Sequence, residues 1–284
     1  MRIVLFFMAL SGALGVLAGC GPGGEESDND AVVAAFYPIA YAAEQVAGTG
    51  VEIRNLTPAG AEPHDLELSP RDIGAVGEAS VVLYLGGGFM PGLESAVEQR
   101  RGRSADLLAG LEISGELARD PHVWLDPVRY ASMVRAIGVE LGATSVAERL
   151  ALRLERLDAE FRRGLARCAR RQIVTSHAAF GHLAARYGLE QIPLDGLSPE
   201  AEPSARGLAA LVDRVRSSGA TTVFFETLVS PRIARTVARE AGVATAMLDP
   251  LEGLSDEEIA DGQDYFSVMR SNLAALQEAL GCPA

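Results

Sequence analysis

Histidine is scarce in this chain, and three of its four histidines are candidate metal ligands. His64, His122 and His177 lie 58 and 55 residues apart, and Asp249 follows 72 residues later. Three neutral imidazoles and one carboxylate suit tetrahedral Zn²⁺ at about 2.0–2.2 Å, whereas the harder Mn²⁺ prefers more oxygen ligands. The spacing matches no local zinc motif, since the sequence has neither HExxH nor paired CxxC. The fold must therefore bring these residues together.

The four candidates share a predicted position at or just beyond the carboxyl ends of strands. Short apolar runs alternate with amphipathic stretches, which is typical of βαβ units and a mainly parallel sheet. Open α/β sheets bind ligands at the carboxyl ends of their strands. Proline stands beside His64, His122 and Asp249 and restricts the backbone there, whereas His177 has no such neighbour. We interpret the four residues as one set.

Two groups of four strands are predicted, with one long helix between them. The predicted strands are Ala31–Phe36, Val51–Leu56, Ser80–Leu85, Ser104–Leu108, Gln172–Ser176, Glu190–Leu194, Thr221–Phe225 and Ala244–Leu248. Residues Thr144–Arg170 contain no proline and carry apolar side chains at steps of three and four, which predicts a single helix. We interpret it as a rigid strut that joins two lobes, Ala31–Ala143 and Arg171–Ala284. One continuous sheet with an oversized helix is the alternative.

Composition excludes several classes of protein. The 284 residues carry a formal net charge of -13, and all 25 basic residues are arginine. An acidic chain with a pI near 4.8 argues against a nucleic-acid partner, which requires a basic face. The hydrophobic fraction of 48% excludes a disordered chain. The length suits one large domain or two domains of about 100–150 residues each.

The N-terminus predicts export. Ile3–Leu17 is mostly apolar but too short to span a membrane, which takes about 20 apolar residues, so residues 1–19 are predicted to be a signal peptide. Leu17-Ala18-Gly19-Cys20 resembles the bacterial lipobox, whose cysteine is lipidated and begins the mature chain. An ordinary signal peptide with a chance cysteine is the alternative. Residues 20–30 then form a flexible tether. We expect attachment to the outer face of the cytoplasmic membrane or a periplasmic location.

Four stretches of the sequence resemble the metal-binding lipoproteins of zinc and manganese ABC importers, the cluster A-I substrate-binding proteins. These stretches are Pro58–Asp72, Asp120–Pro127, Thr175–Leu189 and Val223–Pro250. The resemblance implies an α/β fold of two lobes, each with a mainly parallel four-stranded sheet flanked by helices, joined by one long helix. It also implies a metal ion in the cleft between the lobes.

The resemblance places the family's four metal ligands on His64, His122, His177 and Asp249. Manganese-type relatives usually have glutamate where this chain has His177, so the third histidine favours zinc. Zinc importers often carry a histidine-rich loop in the first lobe, but Ala109–Arg119 contains no histidine, which weakens the zinc assignment slightly.

Five further residues near these motifs have predicted roles. Glu226 resembles the acid of the family's Phe-x-Glu segment and is expected to orient an imidazole N–H. Glu62 is interpreted as a charge on the rim of the site, with an oxygen ligand as the alternative. His182 lies five residues after His177, which is not the same helix face, and is expected to be structural or on the surface. Asp126 is expected to cap a helix and Trp124 to pack beneath the site.

The two remaining cysteines are predicted to form a disulfide. Cys168 lies at the end of the strut and Cys282 follows the last predicted helix, and both lie outside the cytoplasm in an exported protein, where disulfides persist. The bond would connect the C-terminus to the start of the second lobe. Two free thiols are the alternative.

These observations predict a lipid-anchored, monomeric receptor that captures Zn²⁺ and delivers it to a membrane permease and its ATPase, without catalysing a reaction. A receptor for Mn²⁺ or Fe²⁺ of the same family is one alternative. An exported zinc hydrolase is another, but no motif pairs Glu62 or Glu226 with a nucleophile. An adhesin role could coexist with transport.

Overall fold

The computed structural model describes residues 31–197 and 204–283. The predicted signal peptide, Cys20 and the rest of the tether lie outside these residues. Within the described part of the chain, no helix combines the length and the apolar character that crossing a bilayer requires.

The first four strands form one parallel sheet. They are β1 (Val32–Ala34), β2 (Ile53–Asn55), β3 (Val81–Tyr84) and β4 (Arg103–Asp106). Their order is β2-β1-β3-β4, with Val32 opposite both Ile53 and Val81. Three helices connect them: α1 (Tyr37–Ala47), α2 (Pro70–Glu78) and α3 (Pro91–Gln99). The order reverses between β1 and β3, and this reversal opens a crevice at the carboxyl ends of those strands.

The second four strands form a separate parallel sheet with the same order. They are β5 (Gln172–Thr175), β6 (Glu190–Pro193), β7 (Thr222–Phe225) and β8 (Ala244–Met247), in the order β6-β5-β7-β8. Their connecting helices are α6 (Gly181–Tyr187), α7 (Ala205–Ser218) and α8 (Arg232–Ala241). The predicted fold class, with two four-stranded parallel sheets, is confirmed.

Two helices link the sheets and two follow the second sheet. They are α4 (Pro127–Glu140), α5 (Thr144–Leu165), α9 (Asp256–Ala260) and α10 (Tyr265–Leu280). Asp126 accepts hydrogen bonds from the backbone N–H groups of Val128 and Arg129, so its predicted cap of α4 is present. Helix α5 contacts α1 and α4, which lie with the first sheet in the chain, and also α6 and α10, which follow strands of the second sheet, as a strut between the two would.

Helix α5 begins where predicted but ends five residues earlier than the predicted Arg170. The guanidinium of Arg171 donates to the carbonyls of Leu165 and Ala166, the last carbonyls of the helix. Beyond them, Ala169 and Arg170 donate their N–H groups to carbonyls at the end of α10. These tertiary hydrogen bonds replace the helical ones, so the helix stops.

The predicted disulfide between Cys168 and Cys282 is present. It joins the segment after α5 to the segment after α10, beside the backbone hydrogen bonds that stop α5. The bond therefore holds the C-terminus against the beginning of the second sheet.

Candidate metal centre

Three histidines and one glutamate converge on a single point in the structure. The ligand atoms of His64, His122, His177 and Glu252 all lie within 4.8 Å of one another. Oε1 of Glu252 lies 3.2 Å from Nε2 of His64, 3.1 Å from Nε2 of His122 and 3.5 Å from Nε2 of His177. One carboxylate oxygen therefore faces three imidazole nitrogens. Together these four atoms could coordinate a metal cation.

Each of the four side chains comes from a loop that follows a strand. His64 lies in the loop from β2 to α2, and His122 in the segment from β4 to α4. His177 comes two residues after β5, and Glu252 lies between β8 and α9. The first sheet thus contributes two candidates and the second sheet two. All four are nearly inaccessible: the side chain of His64 is 6% exposed and those of the other three are fully buried.

Glu252, and not Asp249, is the carboxylate of this group, which corrects the predicted set. Asp249 is buried, and its Oδ1 accepts a 2.7 Å hydrogen bond from the backbone N–H of Leu251. Such a turn is characteristic of aspartate before proline, and it occupies the carboxylate within its own loop. The chain continues through Leu251 to Glu252, whose side chain enters the group. The sequence signal was a second carboxylate three residues beyond Asp249.

A carboxylate lies against the outer nitrogen of two of the imidazoles. Oδ1 of Asp120 lies 2.7 Å from Nδ1 of His122 and also accepts the backbone N–H of that histidine at 2.9 Å. Oε2 of Glu226 lies 2.7 Å from Nδ1 of His177, and Oε1 accepts the backbone N–H of His177. With a proton kept on Nδ1 by these carboxylates, Nε2 would be the nitrogen that loses its proton to a metal ion and coordinates it. Glu226 lies beside the imidazole N–H that it was predicted to orient. The same position of Asp120 beside His122 was not predicted, although Asp120 stands two residues before that histidine.

Glu62 is partly buried beside the group of four, and it is not one of its four candidate ligands. Its Oε1 accepts the backbone N–H of His64 at 3.2 Å. Its Oε2 is buried and has no hydrogen-bond partner. Burial and the nearby charge of Glu252 raise the pKa of Glu62 to about 8. Glu62 therefore faces Glu252 from the side of the first sheet, outside the group of four.

The surrounding charges favour a cation at the centre. Burial alone would lower the pKa of His177, yet Glu226 and Glu252 raise it to about 10. The pKa of His122 is raised in the same way, because Asp120 and Glu252 outweigh its burial. Burial alone would raise the pKa of Glu252, yet hydrogen bonds from the imidazoles hold it well below its usual range. Positive charge among these carboxylates is thus stabilised in a fully buried space.

Aromatic rings and a fourth histidine complete the surroundings. The ring of Phe89 meets His64 edge-on at 4.7 Å between centroids, and Trp124 lies 5.2 Å from His122. Trp124 is fully buried, so its predicted packing beneath the site is confirmed. His182 is also buried, and its Nε2 donates to the backbone carbonyl of Asp120 at 2.8 Å. This hydrogen bond fits the structural role predicted for His182.

Two separate lobes that share a buried group of three imidazoles and a carboxylate define a metal-binding protein of the two-lobe type. The family model described as ZnuA, zinc-uptake complex component A, periplasmic, matches residues 32–279. The chain belongs to this family.

Curated relatives and solved structures agree with this membership. The zinc-binding protein AdcA of Streptococcus pyogenes serotype M6 is 33% identical over 283 residues, covering 87% of this chain and 55% of AdcA. The chain thus spans about half the length of the streptococcal AdcA relatives that it matches. The high-affinity zinc uptake system protein ZnuA of Bacillus subtilis is 32% identical over 299 residues, covering 93% of this chain and 94% of the relative.

The fold is also similar to solved structures. The Zn(II)-bound ZnuA-like domain of Streptococcus pneumoniae AdcA superposes with a TM-score of 0.76 at 34% identity, covering 88% of this chain and 98% of that domain. The laminin-binding protein Lmb of Streptococcus agalactiae, described as having adhesin and metal-transporting activity, gives a TM-score of 0.80 at 29% identity, covering 88% of this chain and 99% of that one.

Proposed function

We propose that this protein is an exported receptor that binds one Zn²⁺ ion through His64, His122, His177 and Glu252. The observation that carries the proposal is the approach of one Glu252 oxygen to the Nε2 atoms of three imidazoles within 3.5 Å. Three nitrogen donors and one oxygen donor suit tetrahedral Zn²⁺ better than Mn²⁺, which prefers more oxygen ligands. Zinc-binding relatives at 32–34% identity support the same metal.

The surroundings of the site support capture of the ion, not catalysis by it. A hydrolytic zinc site keeps one coordination position open and has a general base facing a bound water. Here four candidate ligands surround the centre, and the side chain of Glu226 lies against His177. Glu62 faces Glu252 and hydrogen-bonds the backbone of His64. We infer that the chain binds and releases zinc without catalysing a reaction.

Delivery to a membrane importer is part of the proposal. The family is described as a component of a zinc-uptake complex, and a relative from Streptococcus pneumoniae at 34% identity is described as a zinc-binding lipoprotein. We infer that residues 1–19 are removed, that lipid on Cys20 anchors the mature chain and that residues 20–30 form its tether. The monomeric receptor would then present zinc to an ABC permease and its ATPase. Lipid labelling of wild type and of C20A would test the anchor.

Zinc titration of the metal-free protein tests the binding site. Wild type should bind one Zn²⁺ per chain, and H177A should bind it at least about 10²-fold more weakly, since one of four ligands is lost. H182Q is a matched control, because His182 lies outside the group and glutamine can still donate to the carbonyl of Asp120. Equal affinities of H177A and wild type would contradict the assigned site.

Uptake tests the transport role separately. Deletion of the gene in its own organism should lower zinc accumulation from zinc-poor medium, and wild type should restore it while H177A should not. Normal accumulation in the deletion strain under zinc limitation, with no second zinc uptake system present, would contradict the role in import.

A further inference from the structure

The loop that carries Glu252 is held in place from outside the metal site. Asn272, on α10, forms two hydrogen bonds with the backbone of Asp249: its Oδ1 accepts the N–H at 2.9 Å and its Nδ2 donates to the carbonyl at 2.7 Å. Within the loop, the carboxylate of Asp249 accepts the N–H of Leu251. These contacts fix the beginning of the loop at Asp249, three residues before Glu252.

Trp124 holds the next residue of the loop. Its indole Nε1–H donates a 2.7 Å hydrogen bond to the backbone carbonyl of Pro250. Trp124 is itself held, since the hydroxyl of Tyr265 donates to its backbone carbonyl at 2.6 Å. Both aromatic side chains are fully buried, so water does not compete for these hydrogen bonds. Trp124 lies two residues after His122, so one short segment carries a candidate ligand and also holds the loop of another.

The residue between Pro250 and Glu252 has an unfavourable backbone conformation. Leu251 has a φ of 57°, and among the described residues it is the one non-glycine residue with positive φ. This left-handed conformation is costly for residues with a side chain and persists only where the surroundings enforce it. Leu251 is fully buried and immediately precedes Glu252, so its backbone angles set the direction of the glutamate. A loop freed from its outside contacts would relax at Leu251 and carry Glu252 away from the imidazoles.

We propose that Trp124 is a positioning residue for Glu252: its indole hydrogen bond to Pro250 holds the strained Leu251 turn, so that Glu252 faces the three histidines before the metal arrives. The inference rests on the proposed function, because it concerns the same zinc ion. Trp124 is not one of the four candidate ligands, yet it would slow the release of zinc. The expected consequence of losing the indole N–H is faster zinc release.

The test compares W124F with a control that loses an equivalent hydrogen bond elsewhere. Phenylalanine keeps an aromatic ring against Phe36, whose ring lies 4.8 Å away, but removes the N–H. The control is Y130F, because the fully buried hydroxyl of Tyr130 also donates to a proline carbonyl, that of Pro38, at 2.6 Å. With zinc-loaded protein and excess chelator, W124F should release zinc about 10-fold faster than wild type, and Y130F at the wild-type rate.

The absorption spectrum of Co²⁺-substituted protein distinguishes a change at the metal site from a general loss of stability, because lower stability alone leaves the spectrum of the folded protein unchanged. The visible absorption of Co²⁺ reports coordination geometry, so W124F should change the spectrum while Y130F should leave it unchanged. Where W124F does not fold, Y265F removes the hydroxyl that holds the Trp124 backbone and should speed zinc release by about 3-fold. A wild-type rate and spectrum in whichever of these two variants folds would overturn the proposal.

A double-mutant cycle shows whether Trp124 acts through Glu252. In the E252Q background, adding W124F should change zinc affinity by less than about 2-fold, since the residue to be positioned is already removed. An undiminished effect of W124F in that background would overturn the proposal and leave the ligand set intact. Wild-type affinity in E252Q would instead contradict the proposed ligand set, so the two failures are distinguishable.

Discussion

The two carboxylates of one loop should differ sharply in their effect on zinc binding. Oε1 of Glu252 lies 3.1–3.5 Å from three imidazole nitrogens, whereas the carboxylate of Asp249 accepts a hydrogen bond within its own turn. E252Q and D249N each replace a buried carboxylate with the amide of the same shape. Any difference between the two variants therefore reports which oxygen the metal uses.

The expected magnitudes follow from the contacts. Structural zinc sites bind with about 10–16 kcal/mol, or roughly 2.5–4 kcal/mol for each of four ligands, so E252Q should weaken zinc binding by about 10²-fold or more. In D249N the amide oxygen can still accept the N–H of Leu251, so the turn is kept. Burial raises the pKa of Asp249 to about 7, so a large share of its population is already neutral near neutral pH. We expect D249N to retain affinity within about 3-fold of wild type.

The assay is competition for zinc against a chromophoric chelator at fixed pH, with thermal unfolding of the metal-free proteins as the check on folding. The ratio of the two dissociation constants is the decisive quantity. A D249N protein that folds normally but binds zinc more weakly than E252Q would refute the assignment of Glu252 and restore Asp249 as the fourth ligand.

Three further predictions concern the support of the site and of the fold. E226Q should weaken zinc binding by about 10–100-fold, because the carboxylate that orients His177 is lost, and the same chelator competition measures it; an unchanged dissociation constant would contradict the role. Replacing Cys168 and Cys282 together by serine should lower the free energy of unfolding by about 2–4 kcal/mol in denaturant titration, while zinc affinity stays at the wild-type value. Burial alone would raise the pKa of Asp158, yet two arginine hydrogen bonds lower it, so its stabilising effect is present above its unfolded pKa of about 4 and is lost as pH falls through the lower folded value. D158N should therefore be less stable than wild type by about 1 kcal/mol at pH 7, and the difference should vanish in strong acid; a constant difference down to pH 2 would refute the ion pairing.

The elements of the fold could be predicted because their signals are local. All eight predicted strands are present, with ends that differ from the predicted ones by up to two residues. The end of α5 could not be predicted in the same way. The stretch Ala166–Arg170 continues the helical pattern of α5, but the N–H groups of Ala169 and Arg170 donate to the carbonyls of Gly281 and Leu280, more than 100 residues away in sequence. The local sequence pattern does not show that distant carbonyls will accept these hydrogen bonds.

The same limit applies to the candidate site. The structure brings the three predicted histidines together because each follows a strand, and the carboxyl ends of parallel strands gather loops at one edge of a sheet. The choice between Asp249 and Glu252 depends on the turn at Leu251 and on contacts from Asn272 and Trp124. Two of these contacts come from other elements, so the sequence could predict which loop reaches the group but not which of its carboxylates does.

The division of the ligands between the sheets has a consequence for how zinc would act on the protein. His64 and His122 come from the first sheet, and His177 and Glu252 from the second, so a bound ion would cross-link the two lobes. Any opening that separates the lobes would have to break two metal–ligand bonds at once, whereas withdrawal of the Glu252 loop would break one. Because α5 packs against helices of both lobes, opening would also disturb its buried face. We therefore expect zinc release to begin with a movement of the loop after β8, and the contacts that hold that loop to set how long the ion stays bound.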